Sequence, residues 1–275
     1  MEGPLGPSEP QGFRTVLTSD AIGVDPPLTP HHRGARKTPL RIRTRLAFDY
    51  DRAVTVPDYR AARRALMRQD PVLGAIIKHR GACGLGAARD RFDHFAMLVR
   101  AIVFQQLSTK AATTIHGRLI ASLPGGAVTP QALAAVPDEQ MRTAGISRQK
   151  AGYLKDLCEK VLNGAVPLTS LDTMTDEEVI ASLTQVKGIG RWSAEMFLIF
   201  RLQRPDVLPL GDLGIVNAIQ KAYRLRKKPT AARMSKLGEA WKPYRSVASW
   251  YLWRSLEPVA PVTRPTASRK EKASR

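Results

Sequence analysis

Asp212 stands immediately ahead of an apolar-periodic run, Leu213 to Tyr223, and its plainest role is to cap that helix by accepting first-turn amides. A cap and a chemical role do not exclude each other. The positive end of a helix favours negative charge, and a fixed carboxylate there can stabilise a cation that develops beside it and orient or activate a water. Asp212 lies 20 residues after Trp192, the span of one helix and a return loop. It can therefore face the same ligand as whatever opens that helix.

What opens it is Val186-Lys187-Gly188-Ile189-Gly190-Arg191-Trp192-Ser193-Ala194. Gly188 and Gly190 flank one apolar residue, which suits a tight turn that needs positive φ and a backbone bare enough to touch a ligand. Thr175-Asp176-Glu177-Glu178 has the form of a capping box, so a helix is expected from there to about Gln185, and a second from Arg191 to Leu202. Turn amides and the dipole of the second helix then favour an anion, most simply a DNA phosphate, with Lys187 and Arg191 adding charge. Taken alone, Gly-x-Gly is usually only a turn between helices.

The charge balance shifts that reading. With 43 Lys and Arg against 24 Asp and Glu, the chain carries +19 and calls for a polyanionic partner. Residues 1–46 hold 7 basic and 4 acidic side chains and residues 259–275 hold 5 and 1, which leaves 31 basic against 19 acidic between them. The excess is thus not confined to the tails. No apolar span is long enough for a membrane, so nucleic acid outranks a lipid surface, and binding should weaken steeply with salt.

Cys83 and Cys158 alone can build neither a disulfide framework nor a four-thiolate cluster. His116 and the other histidines show no ligand spacing, so no catalytic metal is assigned. Residues 1–20 lack the basic start and apolar core of a secretory leader. The expected compartment is the cytoplasm, on the nucleoid, in a bacterium, or the nucleus in a eukaryote.

The pattern divides the chain into a basic arm, 1–46, rich in Pro, Gly, Thr and Arg and expected to be disordered, a folded domain, 47–258, and a basic tail, 259–275, also expected to be disordered. A strand or two would fit near Thr38 to Val56. The rest reads as all-α. Helices are expected from Pro57, with Pro at its first position, over Val72–His79, Phe92–Phe104, Ser108–Leu123, Pro130–Ala135, Asp138–Thr143 and Arg148–Leu162. The hairpin spans 175–202 and the carboxylate loop 205–215. Helices then follow over Ala231–Ala240 and Tyr244–Leu256, with Trp241 and Trp250 read as core.

Four stretches together resemble the helix-hairpin-helix, Gly/Pro-rich-then-Asp superfamily of DNA glycosylases, and most closely its 3-methyladenine-DNA glycosylase II branch. They are Ile102-Val103-Phe104-Gln105-Gln106-Leu107-Ser108-Thr109-Lys110-Ala111-Ala112, Gly145-Ile146-Ser147-Arg148-Gln149-Lys150-Ala151, the hairpin through Asp212, and Trp241-Lys242-Pro243-Tyr244-Arg245-Ser246. The resemblance, over roughly Asp70 to Glu257, implies two helical lobes with a DNA-binding cleft between them. It makes Asp212 the catalytic residue, and Trp192, Met196 and Trp253 walls of a base pocket. Gln106 becomes the side chain that fills the gap left by an extruded nucleotide, with Leu107 second and Gln105 beside them. Lys187, Gly188, Ile189, Gly190 and Arg191 become the phosphate grip.

The resemblance also implies that the hairpin can hold a monovalent cation on backbone carbonyls, here those of Thr184, Val186 and Ile189. Iron-sulfur branches carry four late cysteines, which this chain lacks, so no cluster is expected. Bifunctional relatives place a lysine where Trp192 stands, and an indole cannot attack C1′. The expectation is a monomeric, monofunctional hydrolase that removes alkylated purines such as 3-methyladenine and 7-methylguanine from damaged duplex DNA. Two alternatives stay open: a non-enzymatic helix-hairpin-helix grip, and a glycosylase for deaminated or oxidised bases.

Overall fold

The computed structural model describes residues 58–86 and 93–258. The arm, the tail and the strand or two expected near Thr38 to Val56 lie outside these residues. Among the described residues there are twelve α-helices and no strands: α1 Tyr59–Gln69, α2 Pro71–Arg80, α3 His94–Phe104, α4 Thr109–Ala121, α5 Pro130–Ala134, α6 Asp138–Thr143, α7 Arg148–Leu162, α8 Asp176–Leu183, α9 Arg191–Phe200, α10 Leu213–Ala222, α11 Ala231–Gly238 and α12 Arg245–Ser255. No described helix is long and apolar enough to cross a membrane.

Short polar side chains set most of the starts. Asp58 accepts from the amides of Arg60 and Ala61 at 2.9 and 3.0 Å, so α1 opens on a carboxylate cap and not, as expected, on Pro57. Asp93 does the same for α3 through Ala96 at 2.7 Å. Thr175 and Glu178 complete the capping box ahead of α8, with the Thr175 amide donating to Glu178 at 2.7 Å.

Asp70-Pro71, which in sequence is only a break, is a hub. The Asp70 amide ends α1 by donating to the Leu66 carbonyl at 3.0 Å, and its carboxylate caps α2 through Val72 and Leu73 at 2.9 and 3.0 Å. Its second oxygen accepts from Trp241 Nε1 at 2.8 Å and from the Tyr223 hydroxyl.

The helices form two groups. α1 and α2 pack with α10, α11 and α12, so the chain returns to its described start, while α3 to α9 assemble against one another. One continuous apolar core runs through both groups. α12 is the middle of the first group and buries every residue from Ser246 to Leu252, which explains why its sequence lacks a clean apolar stripe. Ser246 bridges the chain within it, donating to the Arg204 carbonyl at 2.6 Å and accepting from the Val207 amide at 2.9 Å.

Packing also admits a histidine to the core. His116 sits on the buried face of α4, edge-on to Phe104 at 6.0 Å. Burial, with the Arg100 charge adding to it, pushes His116 down to about 4, so it packs as a neutral ring at physiological pH.

Candidate active site

The loop between α9 and α10 delivers Asp212, and it is braced before it arrives. Arg245, at the start of α12, holds Asp206 through Nε at 2.8 Å and Nη2 at 2.9 Å. Arg204 donates to the carbonyls of Leu171, Asp172 and Met174, which ties the same loop to the connector ahead of α8.

Asp212 is the N-cap of α10 and accepts from the Ile215 amide at 2.7 Å. It is also the meeting point of the two helix groups. Trp192 Nε1, from α9, donates to Oδ2 at 2.7 Å, and Trp253 Nε1, from α12, donates to Oδ1 at 2.9 Å. Three N–H groups from three helices thus fix one carboxylate that is only 7% exposed.

Two neighbours that sequence reasoning passed over complete this arrangement. Gly214 would place a Cβ 2.9 Å from Asp212 Oδ1 and 3.0 Å from Trp253 Cδ1, so only glycine lets the indole and carboxylate close there. A glycine inside the first turn of a helix is unfavourable, and that was the available signal. Phe200, at the end of α9, stacks behind Trp253 with ring centroids 5.7 Å apart. Met196, one turn beyond Trp192 on α9, is partly buried against the core.

The hairpin turn is built from below by α7. The ring of Tyr153 lies where a Gly188 Cβ would fall, 2.2 Å from Cδ2, and Gly188 has φ +84. Asp156 accepts from the Lys187 amide at 2.8 Å. Gly190 differs from the expectation for the pair: its φ is −93, with nothing within 4 Å of an added Cβ. It is therefore glycine for bareness and not for conformation. It caps α9 without a side chain, so the first-turn amides of α9 are left for a ligand.

The two cations of the turn differ in what holds them. Arg191 forms a fork with Glu177 at 2.6 and 3.1 Å and reaches Glu195 at 3.2 Å. Burial raises the Glu195 carboxyl above its usual range, against the pull of Arg191. Lys187 is 75% exposed, 3.6 Å from Asp156. It is the more accessible cation of the two.

The glycine contrast is testable. Gly188→Ala is expected to cost about 1–3 kcal/mol, because strain at positive φ adds to the clash with Tyr153. Gly190→Ala should leave the unfolding free energy in urea within about 0.5 kcal/mol of wild type, while both variants weaken duplex binding. Equal midpoints for the two would overturn this division.

The loop between α3 and α4 stands beside the hairpin. Gln105 donates from Nε2 to the Gly188 carbonyl at 2.8 Å. Gln106 is exposed with φ +58, and Leu107 packs against the core. Of these three side chains, Gln106 alone projects without a structural role. Among the described residues no three His, Cys, Asp or Glu side chains converge as a metal site. The Val186 carbonyl, one of the three expected to hold a monovalent cation, accepts from the Ile189 amide at 3.0 Å and keeps a second lone pair.

Fold and site together define a helix-hairpin-helix protein that presents a capping aspartate between two tryptophans. Residues 99–243 match the model of the HhH-GPD superfamily of base excision DNA repair proteins, and the chain belongs to that superfamily. DNA-3-methyladenine glycosylase 1 of Schizosaccharomyces pombe is 38% identical over 183 residues, 66% of this chain and 80% of that protein. DNA-3-methyladenine glycosylase 2 of Escherichia coli is 31% identical over 190 residues, 63% and 64% of the two chains. The structure of the S. pombe 3-methyladenine DNA glycosylase in complex with abasic DNA superposes with a TM-score of 0.64 at 36% identity, over 71% of this chain and 96% of that one.

Proposed function

We propose that the protein is a monofunctional DNA glycosylase that hydrolyses the N-glycosidic bond of alkylated purines, 3-methyladenine and 7-methylguanine, in duplex DNA. The observation that carries this reading is the Asp212 carboxylate gripped by Ile215, Trp192 and Trp253. A DNA grip needs no such group. Its relatives named as 3-methyladenine glycosylases support the choice of substrate.

In this reading the α9 amides and Lys187 bind phosphate, Gln106 fills the space of the extruded nucleotide, and the base enters against Trp192, Trp253 and Met196. A purine alkylated on a ring nitrogen is cationic. An electron-rich wall favours it by about 0.5–2 kcal/mol, while the cationic base is already a good leaving group. The C1′–N bond breaks with its electron pair going to the base, Asp212 stabilises the oxocarbenium ion, and water adds at C1′ as its proton is lost. With Trp192 in place of an amine no Schiff base forms, and the product is an intact strand with an abasic site.

A monovalent cation on the carbonyls of Thr184, Val186 and Ile189 would add positive charge at the phosphate grip. The protein is proposed to act as a monomer on duplex DNA.

The test is single-turnover release of methylated purines from alkylated duplex, with strand breaks scored before and after alkali. Release with breaks only after alkali is the expected result. No release alongside intact, salt-sensitive duplex binding would point instead to a binding module or to another lesion, and breaks without alkali would remove the monofunctional assignment.

A further inference from the structure

The loop that carries Gln106 is held in place by a lysine that none of this chemistry uses. α3 ends at Phe104, and the last carbonyls of a helix have no partner within it. Lys150 Nζ, from the first turn of α7, donates to the Val103 carbonyl at 2.7 Å and to the Gln105 carbonyl at 2.6 Å. Between those carbonyls and Leu107 the chain turns sharply, from φ −55, ψ 132 at Gln105 to φ +58 at Gln106. A non-glycine residue holds that left-handed conformation only where its surroundings impose it.

α7 supplies those surroundings and builds the phosphate grip as well. Lys150, Tyr153 and Asp156 follow one another at three-residue spacing. The first grips the α3–α4 loop, the second fills the space under Gly188, and the third binds the Lys187 amide. Gln105 closes the circuit by its bond to the Gly188 carbonyl. Loop and hairpin are therefore fixed to one helix and to each other. Burial draws the Lys150 ammonium below its usual range, in keeping with a charge spent on carbonyls and not on solvent.

We infer that Lys150 is a positioning residue for nucleotide extrusion: it sets the height and direction of the Gln106 loop relative to the phosphate-binding hairpin. The inference rests on the glycosylase reading above. It separates two steps that share a surface, since the α9 amides bind DNA before any base moves, while the loop acts when the stack opens. Losing the ammonium should spare the first step and slow the second. Because unpairing costs least at a mismatched base, the defect should shrink there.

The experiment compares wild type, Lys150→Met, Lys150→Arg and Gln105→Leu in single-turnover release of 7-methylguanine. The lesion is placed opposite cytosine or opposite a mismatched base, with duplex affinity and urea midpoint measured alongside. Gln105→Leu severs the link to Gly188 without touching α7 and guards against a poorly folded Lys150→Met. Lys150→Met is expected to lose about 10-fold in release opposite cytosine and less than about 3-fold opposite a mismatch, with duplex affinity kept. Lys150→Arg should recover most of the loss, and Gln105→Leu should move in the same direction as Lys150→Met.

Unchanged release in Lys150→Met, whatever Gln105→Leu does, or a loss equal on both substrates and matched by lost affinity, would overturn the assignment to Lys150. A wild type that releases nothing would overturn the glycosylase reading itself.

Discussion

Single-turnover release of an alkylated purine is expected to fall by at least about 10²-fold, and toward 10³-fold, in Asp212→Asn, the range found when one preorganised electrostatic group is removed from a buried site. The substitution keeps size and cap, since asparagine caps helices as well as aspartate does, and its Oδ1 can still accept from Ile215. What it loses is the charge and one acceptor. With Oδ1 kept at Ile215 and Trp253, the new amide nitrogen faces the Trp192 N–H across a contact that is now 2.7 Å, a donor against a donor. That indole must then turn away, so the pocket wall is disturbed along with the charge.

Duplex affinity should stay within a few-fold, because the turn and the α9 amides do not touch this carboxylate. Stability should fall by no more than about 1–3 kcal/mol, the cost of one indole N–H left without its acceptor. A variant that released base at the wild-type rate would reduce Asp212 to a helix cap.

The sequence showed Asp212 and Trp192 as a pair because one helix and a loop separate them, a relation that chain spacing records. The hairpin was legible for the same reason: its capping box, its glycines and its following helix are local signals. The hydrogen bonds that make a site of them are not local. Trp253 reaches Asp212 from 41 residues away, and only its place in the helix after a resembling stretch marked it.

α7 was visible as a helix but mute as to purpose. Lys150, Tyr153 and Asp156 look like an ordinary polar helix surface until the loops they hold are known. Gly190 shows the opposite error, where one residue type was given the reason that belongs to its neighbour: a glycine can be required by φ, as at 188, or by the ligand it leaves room for. Composition fixed the polyanionic partner, since charge is additive and needs no fold.

Asp70→Ala is expected to cost about 3–5 kcal/mol, a larger loss of stability than that of Gly188→Ala. One carboxylate serves four donors: the Val72 and Leu73 amides on one oxygen, the Trp241 indole and the Tyr223 hydroxyl on the other. Truncation removes a cap, worth about 0.5–2 kcal/mol. It also strands an N–H and an O–H, each costing about 1–3 kcal/mol where water cannot reach them. Trp241 is fully buried, so relief by solvent is closed to it. Burial, reinforced by Asp70, already holds the Tyr223 phenol well above its usual range, so the hydroxyl stays a donor that needs an acceptor.

Asp70→Asn should fall between, because it keeps one oxygen for the cap or for Trp241 but not for both. The measurement is the urea midpoint at unchanged m-value, and a loss below about 1 kcal/mol would show that the network is redundant. The position of the hub makes the test selective. Tyr223 ends α10 and Asp212 begins it, so the substitution loosens the far end of the helix that carries the carboxylate while leaving its three donors untouched. Below its melting transition Asp70→Ala should release base at nearly the wild-type single-turnover rate, with the lost activity appearing only as the folded fraction declines.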